Sequence, residues 1–317
     1  MMTQEALDRT TATRPQGPDL ADQPDAEGFT HARVDVGEVT LHVASVAGSE
    51  NNAGPLVVFL HGFPEFWWSW RHQLRALAAA GYRVMAPDLR GYHLSDKPRG
   101  VSSYKVESLA ADVAGLIRAS GAPDAVVVGH DWGAMVAWTF AERHPDLLRR
   151  LVIMNVPHPR AMLRGLLRPE QLKKSWYMFF FQLGGIAERA VERGDFAHVR
   201  RMFRYEGLDA EETERLIDAL RAPGALTAAM GYYRHAIRRV ARGDIPAPTR
   251  IEQPVLVIWG DRDRHLGSEM AAPPPEWVPR ARVEHIPEAT HWVQQVAADR
   301  VNALLLEFLA AEGDARG

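Results

Sequence analysis

The chain has 317 residues, 46% of them apolar and 9% aromatic, enough for one large core with an inserted subdomain or for two ordinary domains. Its 37 Lys and Arg against 40 Asp and Glu give a formal charge of −3, so no bulk field draws it to nucleic acid or to an anionic membrane surface. Cysteine is absent, which excludes disulfides, thiolate metal sites and a cysteine nucleophile and agrees with a reducing cytoplasm.

Residues 1–28 are rich in Thr, Asp, Gln and Pro, lack the apolar stretch of a signal peptide, and are expected to form a mobile tail. Residues 31–36 and 39–46 then alternate in the strand period around a Gly-containing turn, predicting an antiparallel hairpin at a sheet edge. The continuous apolar run at 55–60 suits a strand buried on both faces, followed by helical spacing at 70–80 and another short strand at 82–86. A helix over 106–120, a strand at 125–128, a helical stretch from Ala134 and a strand at 151–154 continue the alternation, which implies a mostly parallel central sheet flanked by helices. From 156 to 249 only helical patterns occur, with Gly and Pro breaks and many aromatics. Strands return at 254–259 and 281–286, and a helix over 293–311 closes the chain. The expected organisation is therefore a core in two parts, 29–155 and 250–317, with an inserted helical cap at 156–249. No apolar run approaches the ~20 residues of a membrane span.

The chemistry centres on Gly129-His130-Asp131-Trp132-Gly133, where a buried strand meets a helix. G-x-D-x-G is the nucleophile-elbow pattern with aspartate in the serine position. A strained turn of this kind needs small residues two before and two after the nucleophile. An ordinary helix start with Asp131 as N-cap would look the same in isolation, but the context is richer. The strand before it in the sheet pattern ends in His61-Gly62-Phe63-Pro64, a loop able to aim the Phe63 N–H, together with the Trp132 N–H, at a developing oxyanion. His61 is read as the structural member of this substrate-binding loop, and the Phe63–Pro64 bond as a candidate for cis. Downstream, Asp261 and Asp263 follow one buried strand and His291 follows another, giving the order nucleophile, acid, histidine. Asp263 is preferred over Asp261 as the acid. The alternative acid position, after the strand at 151–154, holds Asn155. His265, His158 and His72 are expected to be surface or packing residues.

HGFPEFWWSWRHQ, APDLRGYHLSDKP, VGHDWGAMVAW, FFFQLGGIAE, VLVIWGDRD and ATHW together resemble the epoxide hydrolases of the α/β-hydrolase superfamily, from about residue 30 to the end. The resemblance implies the α/β-hydrolase fold, a small apolar epoxide as substrate, an alkyl ester on Asp131 hydrolysed by water that His291 and Asp263 activate, and no metal or organic cofactor. It also implies two cap tyrosines that protonate the epoxide oxygen: Tyr177 and Tyr233, with the adjacent Tyr232 an alternative for the second. Phe63, Pro64, Trp132 and Trp67 are expected against the substrate, with Trp68 and Trp70 lining the pocket or stacking beneath it. Leu183-Gly184-Gly185 departs from the Glu-Pro-Gly of related caps, and His93 is a further variable position. A haloalkane dehalogenase would share the aspartyl ester, although Phe63 stands where such enzymes often carry an asparagine donor; a hydrolase-fold receptor is the non-enzymatic alternative. No self-association surface is legible, and a homodimer stays open.

Overall fold

The N-terminal hairpin forms one edge of an eight-stranded sheet, with β1 (Phe29–Asp35) antiparallel to β2 (Thr40–Val46). The computed structural model describes residues 25–311, so residues 1–24 of the expected tail lie outside the described residues. Residues 25–28, the remainder of that segment, form the turn into β1: Asp25 Oδ1 accepts from the amides of Glu27 and Phe29 at 2.9 Å each.

The chain continues through β3 (Leu56–Leu60), α1 (Arg71–Ala79), β4 (Arg83–Pro87), α2 (Val106–Ala119), β5 (Ala125–His130), α3 (Trp132–Arg143) and β6 (Leu148–Met154). Six helices follow before the sheet resumes: α4 (Pro159–Gly165), α5 (Pro169–Lys174), α6 (Trp176–Phe180), α7 (Ile186–Glu206), α8 (Ala210–Arg221) and α9 (Ala225–Ala241). They form a helical block inserted between β6 and β7. α7 is interrupted at residues 193–196, where Gly194, Asp195 and Phe196 have φ of 63°, 55° and 61°. β7 (Val255–Gly260), β8 (Ala281–Ile286), α10 (Val293–Val296) and α11 (Ala298–Ala310) complete the core. The single closing helix expected from the sequence is thus two. Gln73 Nε2 takes the Gln294 carbonyl at 2.9 Å, an acceptor a continuous helix would need, and Ala297 leaves helical geometry at φ −131°.

The strand order is β1-β2-β4-β3-β5-β6-β7-β8, parallel from β4 to β8. β3, β5 and β7 are buried at every residue, as strands covered by helices on both faces must be. Trp70, Trp138, Trp259 and Trp292 are the largest side chains of the core. After β3 the chain winds outward to β4, then returns to lay β5 on the other side of β3. That reversal makes the carboxyl ends of β3 and β5 a topological switch point, the place where open α/β sheets hold ligands.

Candidate active site

β5 ends at His130 and α3 begins at Trp132, so Asp131 alone turns the chain, at φ 48° and ψ −122°. A non-glycine residue pays a conformational cost there that only dense surroundings maintain. The flanking glycines permit the close approach: a Cβ on Gly133 would stand 2.0 Å from the Leu60 carbonyl oxygen, and one on Gly129 2.5 Å from that of Gly133. Register pairs Leu60 with Gly129, so the loop after β3 lies directly beside the elbow. The Phe63–Pro64 bond is cis. The Phe63 N–H donates to Asp131 Oδ1 at 2.7 Å.

The ends of the next three strands complete the cluster. His291, after β8, holds Nε2 3.6 Å from Asp131 Oδ2, a charge contact rather than a hydrogen bond, and donates from Nδ1 to Asp263 Oδ2 at 2.7 Å. Asp263, after β7, also accepts the amides of His265 and Leu266 on Oδ1 at 2.6 and 2.9 Å. Asp261, the competing carboxylate, faces away and pairs with His285 Nδ1 at 2.6 Å. Burial pushes the Asp263 carboxyl up, but His291 and the surrounding donors outweigh it and leave it at about 2. Burial likewise opposes ionisation of Asp131, and the charge of His291, with that of His130 and the Phe63 amide, holds it below the usual carboxylate range. For His291 burial favours the neutral ring, yet Asp263 and Asp131 together hold it well above the ordinary histidine value.

Three supporting residues escape motif reading. Asn155, after β6 and at φ 48°, donates from Nδ2 to Asp263 Oδ2 at 2.8 Å and accepts the Gly260 amide on Oδ1 at 2.9 Å. His130 meets the His291 carbonyl through Nε2 at 2.9 Å and Glu65 Oε2 through Nδ1 at 2.8 Å, and both side chains are fully buried. Glu65 Oε1 in turn accepts from Gln294 and Gln295 at 3.0 and 2.7 Å. A helix start two residues past the histidine motif would have hinted at the glutamines. Nothing in the sequence separates Glu65 from other loop acids.

Two cavities, of about 750 and 660 Å³, meet at Asp131, Tyr177 and Tyr233, which line both. Trp132 borders the larger; Phe63, Pro64 and His291 border the smaller. Burial, reinforced by the Asp131 charge, pushes both phenols up, so they are protonated at neutral pH. Tyr232 differs: its hydroxyl donates to the Arg90 carbonyl at 2.6 Å, which ties the inserted block to the core and occupies the proton. Trp67 does not line either cavity, contrary to expectation. Its amide donates to Asp88 Oδ1 at 3.1 Å and its ring packs on Phe29 and His31, because the short helical turn after Pro64 points it toward the β1 edge. Trp68 and Trp70 are buried and line neither cavity. His61 touches neither cavity; its Nε2 accepts the Leu89 amide at 3.0 Å, anchoring the loop. His265, expected to be bland, stands against the smaller cavity with its ring edge-on to Tyr177 and His291.

The α/β hydrolase fold family matches residues 55–298. The chain is 40% identical to the AB hydrolase superfamily protein YfhM of Bacillus subtilis over 87% of its length and 96% of that protein's. It is 35% identical to epoxide hydrolase 4 of Mus musculus, covering 89% of this chain and 80% of the mouse protein. An inhibitor complex of the Bacillus megaterium epoxide hydrolase superposes with a TM-score of 0.80 at 32% identity, over 89% of this chain and all of that one. The chain belongs to the epoxide hydrolases of the α/β-hydrolase fold family.

Proposed function

We propose that this chain hydrolyses epoxides to vicinal diols through a covalent ester on Asp131, with residues 156–249 acting as the cap over the reaction. The observation that carries this reading is the setting of one carboxylate. Asp131 sits on a strained elbow, accepts the Phe63 amide at 2.7 Å, has His291 Nε2 at 3.6 Å, and shares its cavity walls with two protonated phenols.

In the first step an Asp131 oxygen attacks one epoxide carbon; a carbon–oxygen ester bond forms as the ring carbon–oxygen bond breaks. The leaving alkoxide stays attached through the other carbon and takes a proton from Tyr177 or Tyr233. An alkoxide needs that proton, whereas a departing halide does not, so the paired phenols favour an epoxide over a haloalkane. In the second step His291, oriented by Asp263, removes a proton from water, whose oxygen attacks the ester carbonyl carbon. The Phe63 and Trp132 amides stabilise the oxyanion that results. Collapse breaks the acyl carbon–oxygen bond, the two protons of the water pass to the departing alkoxide and to the phenolate, and the diol leaves with the carboxylate restored.

Repeated turnover in heavy-oxygen water, followed by peptide mass analysis, is expected to label Asp131 in one carboxylate oxygen. Diol formation that leaves Asp131 unlabelled after many turnovers refutes the ester route. Epoxides left untouched while bromoalkanes release bromide would refute the substrate class.

A further inference from the structure

β1, β2 and the loop after β4 bring together a row of titratable side chains that the reaction does not use. His42 on β2 and His93 in the loop both direct Nδ1 at Asp88 Oδ2, at 2.7 and 2.9 Å. On its other side His42 Nε2 lies 3.0 Å from His31 Nδ1, and His31 Nε2 lies 3.2 Å from Asp25 Oδ2. The His42 and Asp88 side chains are buried, at 1% and 0% exposure, while His93 at 23% forms the end open to solvent.

With a cation on its Nδ1 side, His42 keeps its hydrogen on Nε2 and donates to His31, which donates to Asp25. An outward chain of this kind is how metal-ligating histidines are usually oriented.

We propose that His42 Nδ1, Asp88 Oδ2 and His93 Nδ1 form a site for a divalent transition-metal ion of the zinc class, with His31 and Asp25 orienting His42. Imidazole and carboxylate donors suit such ions. The three donor atoms lie within 4.8 Å of one another. Zinc bonds of about 2.0–2.2 Å to nitrogen and oxygen require the two short contacts to open by roughly half an ångström, with the half-buried His93 as the outer ligand. His93 holds φ 35°, and Lys97 donates to its carbonyl, so the loop fixes an unfavourable backbone geometry that presents this ring to Asp88. The ion would staple the β1–β2 edge to the loop after β4, and leave a coordination position for water on the solvent side.

The test uses the intact chain, stripped with chelator and titrated with Zn²⁺ by calorimetry in buffers of different ionisation enthalpy, and with Co²⁺ by visible absorption. One equivalent should bind, Co²⁺ should give ligand-field bands, and Tm should rise. His93→Asn, which tolerates positive φ, should abolish binding, and His31→Gln should weaken it about 10–100-fold. Absence of saturable Zn²⁺ binding, or equal binding by wild type and His93→Asn, overturns the proposal; the second outcome would assign the metal to surface histidines. Neither result touches epoxide turnover, which is measured separately.

Discussion

Replacing Asp263 with asparagine separates the two chemical steps. The amide keeps the oxygen that accepts the His265 and Leu266 N–H groups at 2.6 and 2.9 Å, so the loop after β7 should hold its shape. What disappears is a negative charge and the acceptor oxygen that takes His291 Nδ1 at 2.7 Å and Asn155 Nδ2 at 2.8 Å. With charge centres about 4 Å apart and an effective dielectric of about 20, that charge is worth on the order of 4 kcal/mol to an imidazolium. Each ~1.4 kcal/mol is tenfold in rate, so ester hydrolysis, in which His291 gains a proton, should slow by about a thousandfold. Alkylation of Asp131 needs no proton transfer to His291 and should persist. Intact mass measured after rapid mixing with epoxide should therefore show Asp263→Asn enzyme carrying one substrate mass, while wild type shows little. A steady-state rate within tenfold of wild type, or a large loss without accumulated ester, would refute the assignment of Asp263 to the second step.

The double change Tyr177→Phe with Tyr233→Phe should lower diol formation about 10²–10⁴-fold, measured by chromatographic product assay, whereas Tyr232→Phe, which loses only the bond to the Arg90 carbonyl, should leave turnover nearly intact and lower Tm. Asn155→Ala strands the Gly260 amide and removes a donor from Asp263; it should cost about 1–3 kcal/mol in urea unfolding. Acid sensitivity should follow Asp263, whose folded-state value of about 2 lies below the ordinary 3.8. A depressed carboxyl stabilises the fold above the unfolded value and loses that contribution as pH falls through the folded one, so about 2 kcal/mol should vanish between about pH 4 and pH 2 in wild type and be missing from Asp263→Asn.

The parts of the fold that were legible are those fixed by local pattern. Continuous apolar runs identify β3, β5 and β7 because strands buried on both faces leave no room for polar side chains. The elbow is visible because only glycine fits beside the Leu60 carbonyl. The choice of Asp263 over Asp261 is two residues of register, and it becomes clear only when β8 lies beside β7 and aims His285 at one carboxylate and His291 at the other. Adjacent tryptophans look alike in sequence, and the short helical turn they form turns all three rings, Trp67, Trp68 and Trp70, away from both cavities. Asn155, Glu65 and His130 were opaque for a different reason. Each acts through a backbone group or a partner more than 60 residues away, and such contacts leave no local spacing.

The ionisation of the buried cluster also explains how one histidine can serve a reaction that needs it neutral. In the resting site Asp263 and Asp131 both favour the charged form of His291, against the burial that favours the neutral ring. A protonated ring cannot take a proton from water. The proposed alkylation changes this by itself, because an Asp131 ester is neutral and one of the two charges that hold the proton is gone. On the proposed route a phenol has at the same moment given its proton to the opened epoxide and stands as a phenolate. Tyr177, Tyr233 and His291 border the same cavity, so the proton released by His291 has an acceptor of far higher affinity facing it. On the proposed route the nucleophile thus masks the base until the ester exists, and water is activated only when there is an ester to hydrolyse.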